Sequence, residues 1–197
     1  MTLTAIHPRP ALYRRAQYLT AAVIGLTLLA VPLQLALGLL IRGAPLFFIT
    51  AILTLLLVLP LLMQTTATPP VTVTNDGITL HPALWRERLI TWDAIQSVKP
   101  YPLLPPADAE VMRKVMVGRK TYQPARGIML VVPSLPWIYR APGFFTGEGL
   151  TPVIALTNRT HTHYDDLVQE ITARCGDRVL LTTTTTEKSV EKPTLKH

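Results

Sequence analysis

The residues best equipped for chemistry lie late in the chain. His161 and His163 are two positions apart, with Asp165 and Asp166 just beyond them. Two imidazoles at that spacing share a face of a strand, and nearby carboxylates would complete a metal's coordination. The same letters also describe the start of a helix, where Asp165 and Asp166 would meet the positive end of the dipole. No other histidine is close in sequence, His81 being the one within the strand-rich region. A helix start is the simpler expectation, and no metal or other cofactor is expected. Cys175 is the only cysteine. It excludes an intrachain disulfide framework and a multi-cysteine metal site, and fits a reducing compartment. It sits at the end of a helical pattern, where the dipole disfavours a thiolate. The chain has no phosphate loop, no G-x-S-x-G and no H-E-x-x-H, so no catalytic residue is assigned and a non-enzyme is expected.

Two further groups suggest binding. Lys99, Arg113, Lys114, Arg119, Lys120 and Arg126 oppose only Asp108 and Glu110 locally, a balance of +4. Beside an anionic leaflet such cations contribute about 1 kcal/mol each; otherwise they are a solvated face that keeps a loop soluble. Trp137, Tyr139, Phe144 and Phe145 cluster around Arg140 among Gly and Pro. They suit either the headgroup level of a bilayer or the cover of a domain core.

These residues hang from an apolar anchor. No charge occurs between Arg15 and Arg42, and the next after Arg42 is Asp76. Residues 16–41 and 45–63 read as two membrane helices joined by a turn at 42–44. A cleaved leader fits poorly, because the first apolar run is too long and a second follows at once. Pro32 is tolerable in a span with a neighbouring helix, and the Gln34 amide suits a bond across to it. Residues 1–15 form a basic segment carrying Arg9, Arg14 and Arg15, against Arg42 alone in the turn. Positive-inside bias therefore predicts a multi-pass membrane protein with both termini cytoplasmic. Of the net charge of +7, residues 1–70 supply +4, so the basic pI gives no case for nucleic acid.

Residues 64–70 read as a polar linker, 71–181 as one small domain, and 182–197 as a disordered tail. Val71, Val73, Ile78 and Leu80 flank Asn75-Asp76-Gly77, a tight-turn signal between strands. Strands are also predicted over 85–92, 128–132 and 153–157, with Asp93 capping a short turn between Trp92 and Ile95. Residues 163–175 are helical, with Tyr164, Leu167, Val168 and Ile171 on one face and Gly176 as terminator. A short helix is predicted within 108–117, inside a long insertion over 100–123, and 133–152 reads as irregular. Strands followed by one amphipathic helix describe a mainly-β (α+β) small sheet or open barrel plugged by a helix.

The pattern V-x-V-T-x-D-G-I-T-L, then R-x-x-x-I-x-W-D-A-I-x-x-V, resembles bacterial pleckstrin-homology-like (PH-like) domains on membrane-anchored proteins. Val71, Val73, Asp76, Gly77, Ile78, Leu80, Arg86, Ile90, Trp92, Asp93, Ile95 and Val98 carry the resemblance. It implies a fold and says little of a ligand. The expected protein is thus a two-span membrane hairpin bearing a cytoplasmic PH-like interaction module. It would be a non-catalytic scaffold or accessory protein docking a protein partner or a second copy of itself. The alternative is an anionic-lipid surface-binding sensor that uses residues 113–126.

Overall fold

Two helices carry the apolar run in the computed structural model, which describes residues 2–41, 45–106, 109–117 and 122–179. They are α1 (Pro10–Leu40) and α2 (Pro45–Thr66). Both are long and apolar enough to cross a membrane, and only 11% of the most apolar 18-residue stretch of each is buried. A core helix of a soluble protein would be mostly covered; here Leu26, Leu29, Leu39 and Leu40 are each at least 70% exposed. What is buried is a narrow seam where the two helices pack against each other. On α1 it comprises Gln17, Thr20, Thr27 and Gly38, facing Ala51, Val58 and Thr65 on α2. Small and hydroxyl-bearing residues let apolar helices approach closely, and at Gly38 an added Cβ would lie 3.1 Å from that of Phe47. The Gln34 amide donates across the seam to Thr54 Oγ1 (3.3 Å). At 1.5 Å per residue the 31 residues of α1 extend about 46 Å, well beyond a hydrocarbon core of about 30 Å. Gln17 donates to the Gln64 carbonyl (3.2 Å), so the start of α1 continues past the end of α2.

The segment before α1 is part of the domain that follows α2. Strand β1 (Leu3–Ala5) pairs antiparallel with β2 (Val71–Val73), Ala5 opposite Val71. Strands β3 (Gly77–Leu80) and β4 (Arg88–Thr91) complete a sheet in the order β1-β2-β3-β4. A second antiparallel sheet has the order β5-β6-β7, from Ser97–Pro100, Gly127–Val131 and Val153–Thr157. Helices α3 (Val111–Val117) and α4 (Arg140–Thr146) lie in the connections, and α5 (Tyr164–Cys175) closes the fold. One core takes Ala5, Val71, Ile78, Leu80 and Ile90 from the first sheet and Val98, Leu130, Ile154 and Leu156 from the second. Leu167 and Ile171 of α5 are fully buried within it, each contributing about 1.5–3 kcal/mol. Two small antiparallel sheets with a C-terminal helix match the coarse expectation.

Several boundaries differ from the sequence reading. The segment expected as a polar linker over 64–70 begins as the last turn of α2, and Thr65, Thr66 and Ala67 are buried. The Ala67 carbonyl accepts from the Ala155 N–H (2.7 Å), which occupies the open edge of β7. The strand expected over 85–92 is only β4, because residues 82–87 bend first, with His81 Nδ1 held 2.9 Å from Glu87 Oε1. The stretch expected as irregular over 133–152 contains a 3-10 turn, Trp137–Tyr139, and then α4, which ends at Gly147 in the left-handed region. The turn at 42–44 and the tail at 182–197 lie outside the described residues.

Candidate functional site

Several of the residues carrying the resemblance, Trp92 and Gly77 foremost, serve the architecture. Trp92 donates its indole N–H to the Asn75 carbonyl (2.9 Å), tying the turn after β2 to the 3-10 turn that contains Asp93. Arg174 of α5 lies over the Trp92 ring, 5.7 Å from its centroid, and donates to Asn75 Oδ1 (3.2 Å). Arg178 donates to the carbonyls of Trp92 (2.8 Å) and Ile95 (2.9 Å). Asp76 and Asp93 are exposed. Gly77 is required by close approach, since a Cβ there would lie 2.0 Å from the Ile90 carbonyl oxygen.

The basic segment is less available than its composition suggests. Lys99 is half-buried and paired with Glu148 (2.7 Å), and Arg126 pairs with Asp165 (3.1 Å). Lys114 is exposed and lies 5.3 Å from the centroid of the Tyr122 ring. Arg159 reaches the buried Glu110 (2.9 Å) and the Gln123 carbonyl (2.6 Å), while the Tyr122 hydroxyl donates to Glu110 (2.6 Å). The insertion is thereby pinned to the end of β7. Arg119, Lys120 and the side chain of Arg113 lie outside the described residues.

The aromatic cluster divides in two. Tyr139 is 1% exposed within the core, and burial pushes its phenol up to about 12. Phe145 is half-buried, edge-on to Phe144. Trp137 and Phe144 are 67% and 57% exposed, and Arg140 is exposed as well. The 3-10 turn and α4 both pack against α2, and α4 also against β7. Because β6 runs from Gly127 to Val131, the aromatic connection leaves one end of that strand and the basic insertion enters at the other. A five-residue strand separates those ends by roughly 17 Å, and the Lys99–Glu148 pair is a link between the basic group and the aromatic stretch.

The histidine pair does not converge. His163 is the exposed residue before α5, with φ 53°, and lies 3.7 Å from Asp166. His161 is 2% exposed and ties the domain to the segment that follows α2. Its Nε2–H donates to the Pro69 carbonyl (2.9 Å), while Nδ1 accepts from the Thr157 N–H (3.3 Å) and faces the Thr160 hydroxyl (2.9 Å). Among the described residues no three His, Cys, Asp or Glu side chains are grouped to hold a metal. Burial holds the His161 pKa below its ordinary 6.5, so the folded state keeps it neutral. The unfolded chain takes up a proton as pH falls through 6.5, whereas the folded chain does so only lower; stability is present above 6.5 and declines below it. Thermal melting of the detergent-solubilised chain between pH 7.5 and 5 should show a fall in Tm that is smaller in His161→Gln. Equal slopes would place the sensitivity elsewhere.

One concavity was not anticipated from the sequence. An open cleft of about 760 Å³ lies between the start of α1 and the β2–β3 hairpin. Tyr13, Arg14 and Tyr18 of α1 line one wall, and Thr72, His81 and Glu87 the other. A smaller groove of about 250 Å³ shares His7 and Tyr13 with it and continues past Leu12, Ala16 and Thr20. These residues lie on both sides of the helical pair, and local sequence pattern does not connect them. No protein-family model, curated protein or solved structure matches the chain.

Proposed function

We propose that the chain is a membrane-anchored, non-catalytic interaction module whose PH-like domain is held in a fixed attitude on the bilayer and docks a partner protein. The observation that carries this reading is the stitching of domain to anchor. β1 precedes the two helices and pairs with β2 after them, and the segment after α2 is bonded to Ala155 and His161. A domain tied at three places presents its surfaces at a set height and angle, as a docking platform must. The two sheets closed by α5 support the PH-like reading. Arg9, Arg14 and Arg15 on the domain side, against Arg42 in the turn, support a cytoplasmic domain. Trp137 and Phe144, exposed beside α2, support contact with the headgroup layer.

The docking face is best sought at β4, which lies at an edge of its sheet. Trp85 and Leu89 are exposed there, flanked by the exposed Arg86 and Arg88. Aromatic and arginine anchors beside an open edge suit strand addition or side-chain docking. The full chain purified from its native membrane should carry a stoichiometric partner that is lost on Leu89→Glu. Charge reversal at Arg113, Lys114, Arg119 and Lys120 should leave it bound. The surface-sensor reading expects a different result in nanodiscs: protection of residues 113–126 from hydrogen exchange only with anionic lipid, abolished by the same reversal. That outcome, without a partner, would overturn the docking reading.

A further inference from the structure

The cleft at the start of α1 sets a cation among apolar side chains: Arg14 stands with Ile6, Pro10, Pro82 and Ala83 in its lining. Arg14 has no carboxylate partner among the described residues, and the one acid in the lining, Glu87, is held by His81. His7 accepts the Arg9 N–H at Nδ1 (3.1 Å), so its remaining nitrogen, Nε2, carries the ring proton as a donor. The Tyr13 ring lines the cleft, but its hydroxyl is buried beside the Tyr139 phenol and does not open into it. Beside the stacked rings of His7 and Tyr13 the smaller groove follows α1 past Leu12, Ala16 and Thr20, with Gln64 and Thr68 on its other side. At about 760 Å³ the cleft exceeds what one inorganic anion would fill and falls in the range of organic ligand sites.

We propose that this cleft seats the phosphodiester headgroup of an anionic membrane lipid. Arg14 and His7 hold the phosphate, and the glycerol and acyl chains lie along Leu12, Ala16 and Thr20. The site is separate from the basic segment at 113–126 and from the β4 edge. It rests on the reading of α1 and α2 as membrane spans, since only then does the groove open into acyl chains. A guanidinium contributes a charge-assisted hydrogen bond as well as a charge, so the site should distinguish lipids by headgroup.

The test is native mass spectrometry of the full chain, equilibrated in detergent with equal phosphatidylglycerol and phosphatidylcholine. Wild type should retain one phosphatidylglycerol in preference. Arg14→Glu should reduce that retention about tenfold, the loss of one charge-assisted contact. Arg15→Glu makes the same charge change one residue away, outside the cleft lining, and should stay within about twofold, as diffuse leaflet attraction allows. His7→Ala removes the second phosphate contact; it should weaken retention several-fold while leaving trypsin resistance unchanged, so folding does not confound the result. Equal loss in Arg14→Glu and Arg15→Glu, or equal retention of both lipids, would overturn the proposal. Competition by soluble glycerol phosphate at matching concentration would overturn the lipid as the source of the phosphate. Release of the wild-type chain from membranes by alkaline carbonate would instead overturn the spanning assignment.

Discussion

Gly77→Ala should unfold the strand-rich domain while leaving the helical pair in the membrane fraction. The added methyl would lie 2.0 Å from the Ile90 carbonyl oxygen and 2.9 Å from the Thr91 Cα. Both are backbone atoms of β4, so no side chain can swing aside. Relief requires β3 and β4 to separate, although Gly77 pairs with Thr91 and Ile78 with Ile90 in that ladder. Ile78 and Ile90 are core residues, 0% and 3% exposed, and separation would also pull Trp92 from the Asn75 carbonyl. Overpacking alone costs 1–3 kcal/mol; with the ladder and the Trp92 bond lost as well, about 3 kcal/mol or more is expected, a large part of a small domain's stability. Limited trypsinolysis of washed membranes reads the result: digestion within 71–179, with the chain still resistant to carbonate extraction. Gly25→Ala is the matched control, because a Cβ there meets nothing within 4 Å. Equal protease resistance in the two variants would refute the close-approach argument.

Ala5→Asp should be nearly as damaging, although it lies 66 residues before its strand partner. Ala5 is 0% exposed, is part of the main core and sits opposite Val71. A carboxylate there must be desolvated or protonated, or β1 must leave the sheet, at a cost of about 3 kcal/mol or more. Thr4→Asp, at the neighbouring exposed position, should change stability by about 0.5 kcal/mol or less. Thermal melting in detergent compares them directly. If the residues before α1 were only a solvated tether, the two substitutions would be equally mild.

Parts of this architecture were legible because their signals are local. β7 was read at 153–157 to the residue, from a β-branched run bounded by Pro152. The face of α5 was read from its spacing, and the helical pair from length and lack of charge. Gln34 was placed facing its neighbour, and it bonds to Thr54. What escaped was set by distant partners. Three residues, Leu3–Ala5, are too few to show alternation, and β1 is defined only by a strand that returns after both helices. The last turn of α2 is built from Gln64, Thr65 and Thr66, which read as polar linker in isolation; they are helical because Ala67 and Pro69 are anchored to the domain. The cations at Lys99 and Arg126 looked free because Glu148 and Asp165, which neutralise them, are 49 and 39 residues away. The cleft escaped for the same reason, since no window of sequence contains both of its walls.

The pairing of β1 with β2 also sets an order of assembly. During synthesis β1 is made first and must wait, unpaired, while both apolar helices are produced and placed. Its partner then appears on the far side of that insertion, and long-range pairing of this kind is slow. Under the membrane reading proposed above, the pairing would act as a checkpoint. If one helix crosses and the other does not, the bilayer lies between β1 and β2, the sheet cannot close, and the domain is left as a target for proteolysis. On the proposed membrane reading, only a chain whose two helices return β2 to the side of β1 completes this sheet.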